Sequence, residues 1–233
     1  FSDGINENGF YRETGNGGLP IAGLAYLTNG QGAVLEEELP FVDNDRSKIS
    51  LKDIDIDPST IVTDYTIFPG IYKTYTRDSS GNTLSVSYFN AQGKSYTDDE
   101  VEAIRKAVKN HLVNYGAITT MTGGNHSKFY NGSSVFGSTA YNCNDTDKTR
   151  DHAVTIVGWD DNYSRNNFAD GTKPSRDGAY IVLNSYGEGA FEDGYLYISY
   201  EDTFIEKELY GISATSKVDY DNLYRDSWDC IVE

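Results

Sequence analysis

Two short apolar segments on either side of a polar loop constrain the fold of this chain most strongly. Ala153 to Trp159 follows His152, and Ala179 to Leu183 precedes Asn184. Apolar runs of this length bounded by polar residues are typical of buried β-strands. If the two strands pair as a hairpin across the loop from 160 to 177, Asn184 can reach His152. We therefore expect a hairpin that brings these two polar side chains together.

The pair of polar residues suggests chemistry as well as structure. A histidine on a rigid strand is held as a general base requires. An amide oxygen that accepts a hydrogen bond from one ring N–H holds the tautomer and leaves the other ring nitrogen for a nucleophile. His152 and Asn184 are thus candidate catalytic residues. The spacing alone leaves open a buried strand pair with a hydrogen-bonded histidine and no catalytic role.

The other two histidines are expected to have no catalytic role. His111 lies at the edge of the apolar face of a predicted helix, and we expect it to pack against the core. That helix begins at a capping box, Thr97 to Glu100, and ends before Gly116. His126 lies in a polar, glycine-containing loop and is expected to be solvated.

The remaining pattern predicts an α+β fold with segregated helices and strands. A helix-like pattern follows Pro20, and residues 61–76 and 83–89 read as a hairpin with an interrupting loop. Further strands are predicted at Ala117 to Met121 and Tyr195 to Tyr200. We see no linker between independent domains, so residues 1–233 are expected to form a single domain.

The composition excludes several classes of protein. The chain has 233 residues and a formal net charge of −17, whereas nucleic-acid binding needs a basic surface. No apolar run approaches the roughly 18–20 residues of a membrane span. Two cysteines are too few for a disulfide-stapled miniprotein or a cysteine-rich zinc module. An aromatic content of 13% argues against disorder, and the acidic, tyrosine-rich composition fits an extracellular bacterial protein.

Four ordered motifs resemble the papain-like (C1) cysteine peptidase family. Residues 151–159 are similar to that family's D-H-A-V-x-x-V-G-[YW] segment, and residues 184–195 to its N-S-W-G-x-x-W-G-x-x-G-Y segment. Residues 16–20 are similar to its N-G-G-x-P cleft loop, and residues 116–118 to its G-P-V segment. The resemblance extends from about residue 15 to residue 203. It is strongest to a bacterial secreted or cell-surface branch, especially clostridial enzymes.

The resemblance implies a papain-like fold and a role for each matched residue. His152 would take the proton of a catalytic thiol and return it to the leaving amine, and Asn184 would orient His152. Asp151 is expected to be an electrostatic neighbour. The substrate-binding residues implied are Gly17, Gly18, Leu19, Ala153 and Tyr186. Tyr186 stands where the family usually has a tryptophan that shields the His–Asn hydrogen bond from water.

The resemblance also requires a cysteine nucleophile at the start of a helix. Counted from Gly17 and Gly18, the position of that cysteine falls before Phe1, so the papain-like fold is expected to be N-terminally incomplete. Cys143 lies in a loop and Cys230 near the end of the chain, and we expect neither to be the nucleophile. A Cys143–Cys230 disulfide and two ordinary thiols both remain open.

Three interpretations follow from the missing nucleophile. The Cys-bearing segment is a separate or removed part of a Cys-His-Asn endopeptidase; the protein is an inactive pseudopeptidase; or it is a cell-surface module that binds peptides or glycans. Ala190 favours the second, since the family usually has another tryptophan there. The first is our main prediction, and it implies that this chain alone is inactive.

The sequence also leads to expectations for the segment boundaries, the ligands and the location of the protein. Residues 44–98 are expected to be a family-variable insertion with a hairpin, and residues 204–233 a C-terminal extension. Peptides or proteins are the expected substrates, the chain's own N-terminal Cys-bearing segment is a possible partner, and no cofactor is implied. The loop acids are expected to form a solvated surface and no metal site: Asp43, Asp45, Asp160 and Asp161. We expect the protein to be secreted or on the bacterial cell surface.

Overall fold

The computed structural model describes residues 18–28, 32–35, 37–38, 59–124 and 126–217. The chain forms two compact units, one of residues Phe1–Asp64 with Ala214–Glu233 and one of Tyr65–Ser213. The described part of the first unit contains helix α1, Pro20–Thr28. Proline is favoured at the first helical position because that residue has no intrahelical N–H bond to lose. The predicted helix after residue 19 is thus confirmed.

Most strands form one mixed sheet. In the described residues the strands are β1 (Thr60–Ile67), β2 (Tyr72–Arg77), β3 (Thr83–Phe89), β4 (Ile118–Thr122), β5 (Ala140–Tyr141), β6 (His152–Asp160), β7 (Ala179–Leu183), β8 (Tyr195–Ser199) and β9 (Tyr210–Lys217). Seven of them form a sheet in the order β1-β9-β4-β6-β7-β8-β5, and β2 pairs with β3 separately. The boundary between the two units falls within β1 and β9.

The centre of the sheet contains the predicted hairpin. β6 and β7 pair antiparallel, with Thr155 opposite Leu183 and a bulge between Ile156 and Gly158. Val154, Ile156 and Val182 point into the main core and are buried. His152 begins β6 and Asn184 directly follows β7, so the hairpin brings both residues to the same end of the sheet.

Helix α2, Asp98–Asn114, is the other element predicted from its pattern. Thr97 accepts a hydrogen bond from the amide of Glu100, and the Glu100 side chain accepts one from the amide of Thr97, which confirms the capping box. The helix contacts β6. His111 is buried against the rings of Phe68 and Tyr115, as expected for a packing residue.

The predicted hairpin before α2 is shorter than its pattern. β2 pairs antiparallel with β3, but β1 joins the main sheet beside β9 instead. Pro69 and Gly70 separate β1 from β2. Proline has no N–H for a ladder, and a Cβ on Gly70 would overlap the carbonyl oxygen of Lys207. The segment 61–76 is therefore two strands with different partners.

A fully buried group of charges joins this hairpin to the rest of the second unit. We call it the Glu206 cluster: Lys73, Arg105, Tyr180 and Glu206. The Glu206 carboxylate accepts from Lys73 Nζ at 2.9 Å, Arg105 Nε at 2.7 Å and Tyr180 Oη at 3.0 Å. Burial alone would raise the pKa of Glu206, but Arg105 and Lys73 outweigh it and hold the pKa at about 2. No local pattern predicts this cluster, because its members are far apart in the chain.

Candidate active site

His152 and Asn184 form a direct hydrogen bond, as the hairpin predicted. His152 Nε2 lies 2.8 Å from Asn184 Oδ1. The same oxygen accepts the backbone N–H of Ser185 at 2.7 Å, which fixes the orientation of the amide. Because Oδ1 can only accept, Nε2 carries the proton of this bond. Nδ1 is then the ring nitrogen that can accept a proton from another group.

A glycine turn after β4 packs directly against His152. A Cβ on Gly124 would lie 2.7 Å from Cβ and 2.9 Å from Cγ of His152, so no larger residue fits without displacement. The Gly124 amide donates to Asp151 Oδ1 at 2.7 Å. Asp151 therefore fixes the turn beside the histidine, in keeping with a neighbouring role. The polar, glycine-containing pattern of this loop did not predict the contact between Gly124 and His152.

Tyr186 lies over the imidazole of His152. The two rings are nearly parallel, at 14°, with centroids 5.0 Å apart. Tyr186 remains 41% exposed, so it covers the histidine while facing solvent. Burial first, and the negative charge of Asp151 second, raise the pKa of its phenol above the ordinary value. The ring thus covers one face of the imidazole, and its role in shielding the His–Asn bond stays a prediction.

Tyr186 belongs to a group of four rings that we call the aromatic cluster: Tyr130, Phe136, Tyr186 and Phe191. Phe136 meets Tyr186 edge-on at 5.4 Å, and Phe191 stacks on Tyr186 at 5.9 Å. Ala190, which directly precedes Phe191, is buried. Phe191 has a φ of 59°, in the left-handed region. The sequence contains a signal for this left-handed backbone, because Phe191 stands where the N-S-W-G-x-x-W-G-x-x-G-Y motif has its second glycine.

The other predicted substrate-binding residues are placed separately. Ala153 follows His152 on β6, lies opposite Met121 of β4 and is exposed. Gly18 and Leu19 belong to the first unit, directly before α1, and both are exposed. Gly17 lies outside the described residues. The structure therefore brings together His152, Ala153, Asn184 and Tyr186, and describes Gly18 and Leu19 only within the first unit.

Cys143 has the properties of an inert thiol. It is a free, buried cysteine whose amide donates to Asp202 Oδ2 at 2.9 Å. Burial, and then the charge of Asp202, raise the pKa of the thiol to about 12. A catalytic thiol needs the opposite shift. Cys143 is thus an ordinary thiol in this structure, and Cys230 lies outside the described residues.

The remaining candidates form no second site. His126 Nε2 contacts the carbonyl oxygen of Thr149 at 2.9 Å and stays partly exposed. Asp161 accepts from Lys109 at 2.5 Å, and Asp160 accepts the amide of Asn162 at 2.8 Å. Asp43 and Asp45 lie outside the described residues. Over the ranges that the structure describes, no group of three or more His, Cys, Asp or Glu side chains could hold a metal ion.

None of the helices in the described ranges between residues 18 and 217 is both long and apolar enough to cross a membrane.

The paired histidine and amide on an antiparallel sheet are typical of thiol-dependent hydrolases. The sequence profile of papain family cysteine proteases matches residues 6–216. The chain therefore belongs to the papain family of cysteine proteases, with the α+β fold that its sequence predicted. No curated protein sequence matches it.

Solved structures agree with this assignment. The cysteine protease and lectin-like domains of Cwp84, a surface layer associated protein of Clostridium difficile, are 29% identical with a TM-score of 0.61. They align over 85% of this chain and 37% of that one. Clostridial Cwp84 after propeptide cleavage is 28% identical, with a TM-score of 0.59, over 87% of this chain and 42% of that one. This chain thus spans less than half of either clostridial structure.

The same fold is found outside bacteria. A structure from work on the mite allergens Blo t 1 and Der p 1 is 17% identical, with a TM-score of 0.52, over 91% of this chain and 53% of that one. At this identity the similarity concerns the fold alone.

Proposed function

We propose that the protein is a cysteine-type endopeptidase that hydrolyses peptide bonds with a Cys-His-Asn site, its cysteine supplied by a segment preceding residue 1. The 2.8 Å bond between His152 Nε2 and Asn184 Oδ1 carries the proposal, because it leaves Nδ1 as the proton acceptor. Membership of the papain family supports the class of reaction. The buried thiol of Cys143, whose pKa is raised, supports a nucleophile from elsewhere.

In the proposed reaction His152 transfers one proton in each of two stages, first from the thiol to the leaving nitrogen and then from water to the sulfur. Nδ1 takes the thiol proton, and the thiolate attacks the carbonyl carbon of the scissile bond, moving an electron pair onto the oxygen. When the carbonyl re-forms, the C–N bond breaks and the leaving nitrogen takes the proton from His152. Water then attacks the thioester with His152 again as base, which releases the acid and restores the thiol. Asn184 keeps the ring in one orientation throughout, because Nε2 donates to it in both the neutral imidazole and the imidazolium.

Peptide or protein substrates are those of the family. We propose that Gly17 and Gly18 let an extended backbone approach, since neither has a side chain to block it. Leu19 and Ala153 would line an apolar pocket for the residue second from the cut. Tyr186 would exclude water from the His–Asn bond. No cofactor enters this scheme.

The domain boundaries and location are part of the proposal. Residues 1–233 would form a single peptidase domain, with residues 44–98 as a family-variable insertion and 204–233 as an extension. The described β2–β3 hairpin lies inside that insertion. The surface layer association of the similar clostridial protein supports a secreted or cell-surface location.

One observation favours an alternative function. Ala190 is small and buried where the family usually has a tryptophan, and Tyr186 replaces another. A cleft with both changes suits an inactive pseudopeptidase or a surface module that binds peptides or glycans. Such a protein would keep the fold without cleaving its ligand.

A thiol-directed covalent inhibitor separates these functions. With the whole protein, including the residues that precede Phe1, we expect one cysteine to be labelled rapidly and peptide cleavage to stop. His152→Ala should abolish both labelling and cleavage, because the thiol loses its base. The matched variant His126→Ala removes a loop histidine and should leave both unchanged.

The outcomes are distinct. No labelling of the whole native protein would favour the pseudopeptidase or binding module. Cleavage by the 233-residue chain alone, abolished by His152→Ala, would show that the nucleophile lies within this chain and overturn the proposal as stated.

A further inference from the structure

We infer that Phe191 is a positioning residue: its ring, set by a left-handed backbone, holds Tyr186 over the His152 imidazole. The role of the held histidine in catalysis rests on the proposed function. The placement of the rings does not, since it concerns this chain alone. Nothing in the sequence motif assigns such a role to a residue that stands in place of a glycine.

The backbone of Phe191 is strained, and its surroundings maintain the strain. A φ of 59° is rare for a bulky residue because its Cβ approaches its own carbonyl group. The Phe191 amide donates to the carbonyl oxygen of Phe136 at 2.6 Å, and the Gly194 amide donates to that of Ala190 at 2.8 Å. Strained backbone that is held in this way is concentrated at functional sites.

The strain has a direct effect on where the ring lies. Phe191 stacks on Tyr130 at 6.2 Å and on Tyr186 at 5.9 Å, and it also contacts Phe136 at 6.4 Å. It packs against the main core as well. Phe191 therefore connects the exposed Tyr186 to buried structure, which the small side chain of Ala190 cannot do.

Tyr186 needs such support because it is partly exposed. Its other ring neighbours are His152, which it covers, and Phe136, which is itself 56% exposed. Among the described residues, the rings that remain beside it without Phe191 are a solvent-facing phenylalanine and the imidazole. The tyrosine would then leave the imidazole more often, and water would reach the bond between Nε2 and Oδ1.

The same loop is tied to Asn184. The amide of Asn184 donates to the carbonyl oxygen of Gly194 at 2.9 Å, and Glu192 pairs with Tyr195 through two backbone bonds. The segment that carries Phe191 therefore starts directly after Asn184 and returns to it through Gly194, and Asn184 is the residue that orients His152. The Phe191 ring acts on the donor, His152, through Tyr186, and the backbone of the segment acts on the acceptor, Asn184.

NMR of the 233-residue chain tests the inference without any catalytic thiol. A ring stacked in parallel shifts the carbon-bound protons of the imidazole upfield, and Tyr186→Leu defines the shift without that ring. Glycine accepts the left-handed backbone. We therefore expect Phe191→Gly to shift the His152 resonances a substantial part of the way towards their positions in Tyr186→Leu. Exchange of the Nε2 proton should accelerate roughly twofold to tenfold, as expected for losing one aromatic pair.

Three further variants make the result specific. Phe191→Tyr keeps an aromatic ring and should restore wild-type shifts, whereas Phe191→Leu keeps apolar volume only and should resemble Phe191→Gly. Phe89→Ala removes the Tyr72–Phe89 pair, whose centroids are 6.1 Å apart at 29°, a geometry close to the 29° of Tyr186 and Phe191. That control should leave the His152 resonances unchanged.

Wild-type shifts and exchange in both Phe191→Gly and Phe191→Leu would overturn the inference. Equal changes in Phe89→Ala would also overturn it, since they would reflect lost stability in general. A failed inhibitor-labelling experiment with intact NMR effects would remove the peptidase proposal and leave the positioning of Tyr186 in place.

Discussion

The Glu206 cluster and the His152–Asn184 pair are both polar groups on the same sheet-based unit, but they differ in how completely they are satisfied. Glu206 is fully buried and accepts from two cations and a phenol. His152 is partly exposed, uses one ring nitrogen for Asn184 and has the other available for a proton. The Glu206 cluster is therefore closed, in the sense that its carboxylate is fully paired within the protein. The His152–Asn184 pair is an open site, because one ring nitrogen can still take a proton.

The difference shows how polar residues divide between stability and chemistry. A buried carboxylate that accepts hydrogen bonds from three donors is stable as it is, because any change of its charge or position costs free energy. A histidine with one fixed and one open nitrogen costs little in stability and can exchange a proton. We therefore expect changes in the Glu206 cluster to act on unfolding, and changes around His152 to act on the site.

The largest effect is expected from Glu206→Gln. The amide cannot neutralise Lys73 and Arg105, which stay buried, so the free energy of unfolding should fall by about 3–5 kcal/mol. Urea denaturation followed by circular dichroism measures this. Asp170→Asn removes the partner of Lys173 at an exposed position and should leave the midpoint unchanged. A midpoint that is equally unaffected in Glu206→Gln would contradict the distinction.

Acid should act through the same carboxylate. Its pKa is about 2 in the folded protein against an ordinary 4.5, so its contribution is complete above about pH 4.5 and lost as the pH falls towards 2. The loss should reach about 3 kcal/mol. Burial raises the pKa of Asp202, which contributes with the opposite sign.

Comparing two proteins isolates the contribution of Glu206. Denaturation of wild type and Glu206→Gln at pH 7, 4 and 3 should show a steeper decline in the wild type. Parallel declines would mean that acid unfolds the protein through other groups.

Gly124→Ala should have a moderate effect centred on the open site. The added methyl group meets His152 at 2.7 Å, and relieving that overlap should cost about 1–3 kcal/mol of stability. The NMR signal of the proton between His152 and Asn184 should weaken or disappear. Gly189→Ala adds a methyl group with nothing within 4 Å and is the matched control. An intact signal in Gly124→Ala would show that the turn does not position the histidine.

The smallest change in stability is expected from Asn184→Ala. Asn184→Ala removes the two hydrogen bonds that Asn184 Oδ1 accepts, from His152 and from the Ser185 amide, and should lower the free energy of unfolding by about 1–2 kcal/mol. The His152 ring should nevertheless lose its single tautomer, which ¹⁵N shifts of the imidazole report. A stability loss as large as that of Glu206→Gln would place this pair in the same structural class as the buried cluster.

Local patterns predicted much of the fold and the central pair of the site. The capping box predicted the start of α2, and two apolar runs predicted β6 and β7, because each signal involves residues close in sequence. The hydrogen bond from His152 to Asn184 then followed from hairpin geometry. The fold family was predicted from four motifs in the right order, which hydrophobic periodicity alone would not have identified.

Features that depend on distant residues were not predicted. Nothing near Pro69 indicates that β1 pairs beside β9 rather than with β3, because the choice depends on a strand more than a hundred residues later. Gly124 and Phe191 were missed because their effect is steric. One leaves room for His152, and the other places a ring through its backbone angle.

The Glu206 cluster has a consequence for the order in which the protein folds during synthesis. Lys73 bonds the carbonyl oxygen of Asp202 across 129 positions, and Arg105 bonds Glu206 across 101. Contacts that close loops of this size form late. While the ribosome is still adding the segment after β8, both cations must remain in water, and the β2–β3 hairpin cannot dock. Arrival of Glu206 lets the two cations be buried together. A nascent chain that stops short of it lacks this buried anion and leaves Arg105 only the exposed Glu102, so we expect the hairpin to stay accessible to proteases.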